Sequence, residues 1–201
     1  MGATVTQSRS RSSAQRGFTL IETMIAIVVL MIGVLTIVAV FATAIASTQN
    51  AQENLIARQK AEETLESIFT ARNTQQISFS QIANISSGGI FTDGPAQLLA
   101  AGPDGLVNTA DDIPFPANGV CPAGPECIPL PGPDGILGTP DDVPMSLAYF
   151  TRQIQINPVL EADGVTVNPN LKQITVTVAY TAGGSATPRS YSVNALISAF
   201  R

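Results

Sequence analysis

The pattern of hydrophobic positions begins with one long apolar run. From Met24 to Ile45 nearly every residue is Ile, Val, Leu, Met, Ala or Phe, and the only others are Gly33, Thr36 and Thr43. At about 1.5 Å of rise per helical residue the run reaches about 33 Å, whereas the hydrocarbon core of a bilayer is about 30 Å thick. The pattern therefore predicts a transmembrane helix at about residues 24–45.

The helical pattern continues beyond this run but becomes amphipathic. Ala57, Ala61, Leu65 and Ile68 recur at spacings of four, four and three residues, which is the spacing of an apolar stripe on one helix face. We therefore predict one helix over residues 18–72, with an apolar first half and an amphipathic second half.

The rest of the chain has two textures. Residues 74–148 are rich in Gly, Pro, Asn and Asp, which predicts mainly loops. Three later stretches, at 150–156, 171–180 and 189–197, alternate apolar and polar residues as strands with one packed face do. We expect them to form a small antiparallel sheet within residues 149–201.

The packed face of this sheet needs a cover, and the amphipathic half of the long helix is the obvious candidate. The predicted fold class is α+β. Its parts are a leader at residues 1–17, the long helix at 18–72 and a head at 73–201.

The distribution of charged residues predicts which side of the membrane each end of the chain occupies. Arg9, Arg11 and Arg16 precede the apolar run without any acidic residue, so by the positive-inside rule the N-terminus stays cytoplasmic and the head is exported. A cleaved signal peptide is the alternative, but its apolar core is usually only about 7–15 residues long and ends at a small-residue cleavage site. Removing residues 1–17 takes three of the ten basic residues and none of the fifteen acidic ones, which leaves a formal charge of −8. A nucleic-acid partner is therefore not expected, and a cation is favoured.

The junction between leader and helix has a specific order of residues. Gly17 is followed by Phe18, by Thr19-Leu20-Ile21 and by Glu22, which stands just ahead of the apolar run. This order resembles the N-terminus of type IV prepilins and type II secretion pseudopilins. The resemblance implies a type IV pilin-like fold and a membrane peptidase that cuts after Gly17 and methylates Phe18. It also implies that Glu22 pairs with the N-terminal amine of a neighbouring subunit during filament assembly.

Glu22 is costly where it stands, which supports a pairing role. A charge inside a membrane helix costs about 2.5–3.5 kcal/mol at the centre and less near an end, so its presence implies a partner. The alternative is local: an acidic residue in the first turn is favoured by the helix dipole and could pair with the amine of its own chain. By the same resemblance the subunit lies in the inner membrane before assembly and in a pilus or periplasmic pseudopilus afterwards.

A second motif occurs twice. GPDGLVNTADDIP at 102–114, here called loop 1, and GPDGILGTPDDVP at 132–144, here called loop 2, share eight of thirteen positions. Each loop has one Asp after Gly-Pro and an Asp pair seven and eight residues later: Asp104, Asp111 and Asp112, and Asp134, Asp141 and Asp142. Calcium takes about 6–8 oxygen ligands, several of them carboxylates, and a glycine after the first Asp permits a tight turn. We therefore predict two Ca²⁺ sites, with a pair of metal-free Asp-Gly turns as the alternative.

The spacing also resembles the calcium loop of the major pseudopilin, where an Asp-Gly turn precedes an Asp pair. That resemblance implies weaker ligands among the backbone carbonyls of Ala101 and Thr109, and of Pro131 and Thr139.

Cys121 and Cys127 lie between the two loops. In an exported domain two cysteines this close favour a disulfide, and two free thiols are the alternative. The chain contains no His, which excludes a histidine base for a serine or cysteine nucleophile, and it has no phosphate-loop motif, so an enzyme is not expected.

These features predict a filament subunit that assembles through its N-terminal helix and carries a calcium-stabilised head. Other pilin-type subunits, the prepilin peptidase and the inner membrane are the expected partners. The rival prediction is a membrane-anchored periplasmic calcium-binding module that does not polymerise.

Overall fold

A computed structural model of the protein describes residues 17–181 and 188–200. Apart from Gly17, the predicted leader therefore lies outside the described residues. The chain divides into two units, residues 1–46 and 47–201, and each is described by itself below.

The long helix α1 spans Leu20–Asn73, so it begins two residues later and ends one residue later than predicted. In the first unit all of its side chains are exposed to solvent, including the whole apolar run. Its most apolar window has a mean hydropathy of 3.1 and contains no buried residue, so α1 has the length and composition to cross a membrane. Such a surface is stable only against lipid or other apolar helices.

In the second unit α1 packs through one buried stripe. The stripe consists of Glu53, Ala57, Ala61, Thr64 and Ile68, with Ala71 and Arg72 at the end of the helix. Thr64, rather than the predicted Leu65, completes the stripe, because spacings of four, three and four keep residues on one face of a 3.6-residue helix. Leu65 lies beside the stripe and is partly buried.

The stripe covers an antiparallel sheet, as the α+β prediction required. Four strands pair in the order β1-β4-β5-β6, and β2 pairs with β3 in a separate two-stranded sheet. The strands are β1 Ala96–Gln97, β2 Cys127–Leu130, β3 Val143–Ser146, β4 Phe150–Leu160, β5 Val167–Thr181 and β6 Pro188–Ser198.

The inner face of the sheet supplies a large share of the core. Ile154 of β4 pairs with Val176 of β5, which pairs with Val193 of β6, so that one layer of β-branched side chains crosses the sheet. At the end of the same face the rings of Phe150 and Tyr180 stack, with centroids 5.2 Å apart. The alternation of Ile174, Val176 and Val178 with polar residues thus separates a packed face from a wet one.

Two details differ from the predicted strands. β4 and β5 extend four residues further than the alternation indicated, because pairing resumes beyond an irregularity at Pro158/Val159. The sequence did not predict these additional strand residues, because Pro158 interrupts the alternation of apolar and polar residues. The region predicted as loops also contains the short strands β1, β2 and β3.

The end of α1 is tied to the end of the sheet. The guanidinium of Arg72 donates to the backbone carbonyl of Ser198 and, at 2.6 Å, to that of Phe200. Lys60 makes a second link, with its ammonium 2.6 Å from the carboxylate of Glu126 just before β2. Both cations thus join the helix to distant parts of the head.

One buried arginine connects α1, the sheet and loop 1. Arg152 of β4 is 3% exposed, and its Nε donates to Oδ1 of Asn108 at 2.6 Å. The Asn108 amide donates back to the Arg152 carbonyl at 3.0 Å, and Arg152 Nη1 donates to Thr64 Oγ1 at 3.3 Å. Burial lowers the pKa of Arg152, which the nearby carboxylates of Asp112, Glu126 and Glu63 partly offset.

Replacing Asn108 with glycine should destabilise the head. Asn108 has a positive φ of 60°, which glycine adopts without strain, so Asn108→Gly removes only the side chain. Leaving the buried Arg152 Nε without its acceptor should cost about 1–3 kcal/mol of unfolding free energy, measured by urea denaturation of the full chain in detergent.

The matched control is Gln75→Gly, which also removes a side chain at a positive φ, here 64°, but at an exposed position just after α1. The unfolding free energy should not fall by more than about 0.5 kcal/mol. Equal effects of the two substitutions would show that the Asn108–Arg152 contact does not stabilise the fold.

Candidate functional site

The N-terminal junction is exposed and leads directly into α1. Residues 17–19 precede the helix without regular structure, and the ring of Phe18 is 81% exposed. The hydroxyl of Thr19 accepts a hydrogen bond from the backbone N–H of Glu22 at 3.3 Å. Thr19 therefore caps the helix.

Sequence reasoning missed this cap, although its signal was present. Thr-x-x-Glu ahead of an apolar run is the pattern of a capping box. Glu22 consequently lies in the first turn of the helix. Its negative charge interacts favourably there with the positive end of the helix dipole. Its carboxylate is exposed, so both the intermolecular and the local interpretation of Glu22 stay predictions.

Loop 1 is shaped by its own aspartates. The carboxylate of Asp104 accepts from the Leu106 N–H at 2.8 Å, and that of Asp111 accepts from the Asp104 N–H at 3.1 Å. The hydroxyl of Thr109 contacts the carboxylates of both Asp111 and Asp112, at 2.7 and 3.1 Å. One hydroxyl and one backbone amide thus link the three predicted ligands.

Loop 2 repeats these four hydrogen bonds. Asp134 accepts from the Ile136 N–H at 2.8 Å, and Asp141 accepts from the Asp134 N–H at 3.3 Å. The hydroxyl of Thr139 lies 2.6 Å from the Asp141 carboxylate and 3.5 Å from that of Asp142. The repeat in the sequence is therefore a repeat in structure.

The first glycine of each loop permits a close backbone approach. A Cβ on Gly102 would lie 2.2 Å from the Asp111 carbonyl oxygen, and one on Gly132 would lie 2.1 Å from that of Asp141. No larger residue fits either position without moving the backbone. Where each loop closes, its first Gly therefore lies against the first Asp of the pair.

The acidities of the aspartates follow from these contacts. The hydrogen bond from the Thr109 hydroxyl lowers the pKa of Asp111, and the Thr139 hydroxyl lowers the pKa of Asp141 in the same way. Burial raises the pKa of Asp112, against the hydrogen bonds that it accepts. Asp111 and Asp141 thus favour the ionised form that a hard cation requires.

Hydrogen bonds connect the three aspartates of each loop, and their carboxylate oxygens accept bonds from the loop itself. Among residues 17–181 and 188–200, no group of three or more Asp, Glu, Cys or His is arranged as a metal-binding cluster. The donor type suits calcium, whereas an ion would have to replace or share the bonds to Thr109 and Thr139. The two calcium sites therefore stay predictions.

The predicted disulfide is present. Cys121 and Cys127 are bonded, with their Cα atoms 5.8 Å apart, and Cys127 begins β2. The bridge closes a small loop just ahead of the hairpin that carries loop 2. The prediction of a disulfide rather than two free thiols is confirmed.

Sequence reasoning also missed the link between loop 1 and the sheet. Asn108 and Arg152 are 44 positions apart. Asn108 lies in loop 1, but at a position where loop 2 has Gly138, and Arg152 belongs to no motif. The available signal was the position of Arg152, which shares the packed face of β4 with Phe150 and Ile154 and therefore had to be buried.

Comparison with known proteins gives one finding, at the N-terminus. Residues 12–38 match the family model described as the prokaryotic N-terminal methylation motif. No curated protein and no solved structure gave a significant match to the chain. The matched range contains Gly17, Phe18 and Glu22, so the chain carries the prepilin-type N-terminus of the type IV pilin and pseudopilin family, as the sequence predicted.

Proposed function

We propose that the protein is a structural subunit of a type IV pilus or a pseudopilus-like filament. A prepilin peptidase cuts it after Gly17 and methylates Phe18. The subunit waits in the inner membrane with its N-terminus cytoplasmic, and it then enters a filament through its N-terminal helix.

One observation carries this proposal: the methylation motif at residues 12–38 leads into a helix whose apolar run is wholly exposed. An exposed apolar helix must be covered, either by lipid or by other helices. Lipid is as apolar as the helix surface, so helices in a membrane associate through close van der Waals packing. Small residues along the run, such as Ala26, Gly33 and Ala39, permit that close approach. The same surface therefore suits the membrane before assembly and a helical filament core afterwards.

The first test is the mass of the mature protein. The membrane or filament form should begin at Phe18 and carry one added methyl group, which intact mass spectrometry measures directly. A Gly17→Leu variant is the control, because a bulky residue before the cut should leave the leader attached. A wild-type protein that still begins at Met1 would contradict the proposed processing.

Replacing Glu22 tests its role in assembly. Glu22→Val should leave membrane insertion intact, because it removes a charge from an apolar helix. Incorporation into filaments should fall at least about tenfold, since an N-terminal ammonium without its counter-charge in the membrane costs on the order of 2–3 kcal/mol. Immunoblots of sheared filaments and of membranes measure the two quantities.

The control is Thr36→Val, which also makes the run more apolar but removes no charge. It should incorporate like the wild type. Normal incorporation of Glu22→Val would mean that Glu22 serves only its own helix. A wild-type protein that stays in the membrane and never enters filaments would favour the rival function, a membrane-anchored calcium-binding module.

A second part of the proposal is that loops 1 and 2 each hold one calcium ion. Its support is the repeated spacing of three Asp residues in the sequence and the lowered pKa of Asp111 and Asp141. The ligands would be Asp104, Asp111 and Asp112 in loop 1, and Asp134, Asp141 and Asp142 in loop 2. Bound ions would neutralise the repulsion between neighbouring carboxylates and hold each loop closed.

Calcium should therefore raise the melting temperature of the protein. A ligand present at a hundred times its Kd stabilises the folded state by about 2.7 kcal/mol per site, and each kcal/mol shifts the midpoint by about 2–4 °C in a protein of this size. We expect the full chain in detergent to melt several degrees higher in millimolar calcium than in chelator.

The pair Asp111→Ala and Asp141→Ala should abolish most of that difference. Asp163→Ala is the matched control, because Asp163 also accepts hydrogen bonds from a hydroxyl and from backbone amides, but in the turn between β4 and β5. It should lower the melting temperature equally with and without calcium. If the wild type melts at the same temperature in chelator, the loops are metal-free turns.

A further inference from the structure

A cavity of about 260 Å³ in the head is lined by residues of α1, loop 1 and β4. Its charged residues are Lys60 and Glu63 of α1, Glu126 just before β2, and Arg152 of β4. The side chain of Glu63 is 67% exposed, so the cavity reaches the surface beside it. Neither filament assembly nor the proposed calcium ions account for this cavity.

Three of the four charged side chains are already paired with one another. The ammonium of Lys60 lies 2.8 Å from the carboxylate of Glu63 and 2.6 Å from that of Glu126. The side chains of Lys60 and Glu126 are only 17% and 14% exposed, so this ion pair is largely removed from water. Lys60 is therefore engaged, and both carboxylates of the cavity already have a cation.

Arg152 is the cation of the cavity that lacks an ion pair. In the part of the chain that the structure describes, its buried Nη2 has no hydrogen-bond partner, and none of the salt bridges includes its guanidinium. Burial lowers the pKa of Arg152, and the nearby carboxylates offset only part of that effect. A buried donor without an acceptor is costly, so the site is short of one acceptor group.

The guanidinium is already held in position. Its Nε donates to Asn108 at 2.6 Å, and its Nη1 donates to Thr64 at 3.3 Å. An acceptor that reaches Nη2 would therefore complete the hydrogen bonds of Arg152 without displacing one. Because the side chain is fixed beforehand, such binding would lose little conformational entropy.

We propose that the cavity binds a small monocarboxylate, with its carboxylate on Arg152 and an apolar tail against Leu99, Val107 and Phe115. A planar guanidinium matches the geometry of a carboxylate. Glu63 and Glu126 repel further negative charge, which disfavours a dianion such as phosphate.

The size of the cavity limits the ligand. At about 30 Å³ for each molecule of liquid water, the cavity has room for about nine non-hydrogen atoms. A carboxylate with a short aliphatic chain or a single ring therefore fits. This inference does not depend on the proposed filament function.

The test measures the binding of benzoate to the full chain in detergent by saturation-transfer NMR, with protein-free micelles as the blank. Benzoate should bind with a Kd of about 1–10 mM, as expected for a ligand of this size. Benzamide has nearly the same shape without the charge, and it should bind at least about tenfold more weakly. Inorganic phosphate should not displace benzoate.

Ser67→Leu fills part of the cavity from α1 and leaves Arg152 in place. It should weaken benzoate binding at least about tenfold. The matched control is Thr70→Leu, which adds an apolar side chain three positions further along α1, at an exposed position outside the lining. It should bind benzoate like the wild type.

Arg152→Lys keeps the positive charge but loses the planar guanidinium, so it should bind benzoate at least about tenfold more weakly. Circular dichroism checks that this variant folds, and if it does not, Ser67→Leu decides the question. Equal binding of benzoate and benzamide, displacement by phosphate, or unchanged binding to Ser67→Leu would overturn the proposal. So would a wild-type protein that binds no benzoate well above the expected Kd, since the cavity would then hold only water. Each of these results would leave the filament function intact.

Discussion

The head depends on one contact, the buried stripe of α1 against the inner face of the sheet. Ala57 and Ala61 have no exposed surface, and they belong to the same core cluster as Ile154 and Val176 of the sheet. Thr64 on the same stripe accepts a hydrogen bond from Arg152, which in turn holds Asn108. Loop 1 is therefore linked to the helix through the side chains of Thr64, Arg152 and Asn108.

The elements of this fold could be predicted because each is encoded by local periodicity. The apolar run, the amphipathic stripe and the alternating strands all appear in the sequence with their own repeat lengths. Details that depend on distant partners could not be predicted. Arg152 sits among apolar residues on its face of β4, yet nothing in the sequence points to Asn108 as its acceptor. The continuation of β4 beyond Pro158 is set by pairing with β5, not by the local pattern.

The candidate sites divide in the same way. The prepilin-type junction is a contiguous motif of six residues, so it can be recognised without knowledge of the fold. The spacing of the aspartates likewise predicted two loops of identical design, although not the hydroxyls of Thr109 and Thr139 that join their carboxylates. The partner of Glu22 is given neither by the sequence nor by the structure of one subunit. A contact with another chain leaves no trace in the internal hydrogen bonds of a single subunit.

Different residues determine the shape of each loop and whether the loop packs against the rest of the head. Because each loop closes through its own carboxylates, hydroxyl and first glycine, its shape does not require burial, and loop 2 keeps that shape while exposed. Docking is decided instead by side chains that point out of the loop, chiefly Asn108 in one copy and its replacement by Gly138 in the other. A duplicated loop can thus lose its anchor without losing its form. Ile136 is therefore left 60% exposed, whereas its counterpart Leu106 is 2% exposed and belongs to the core.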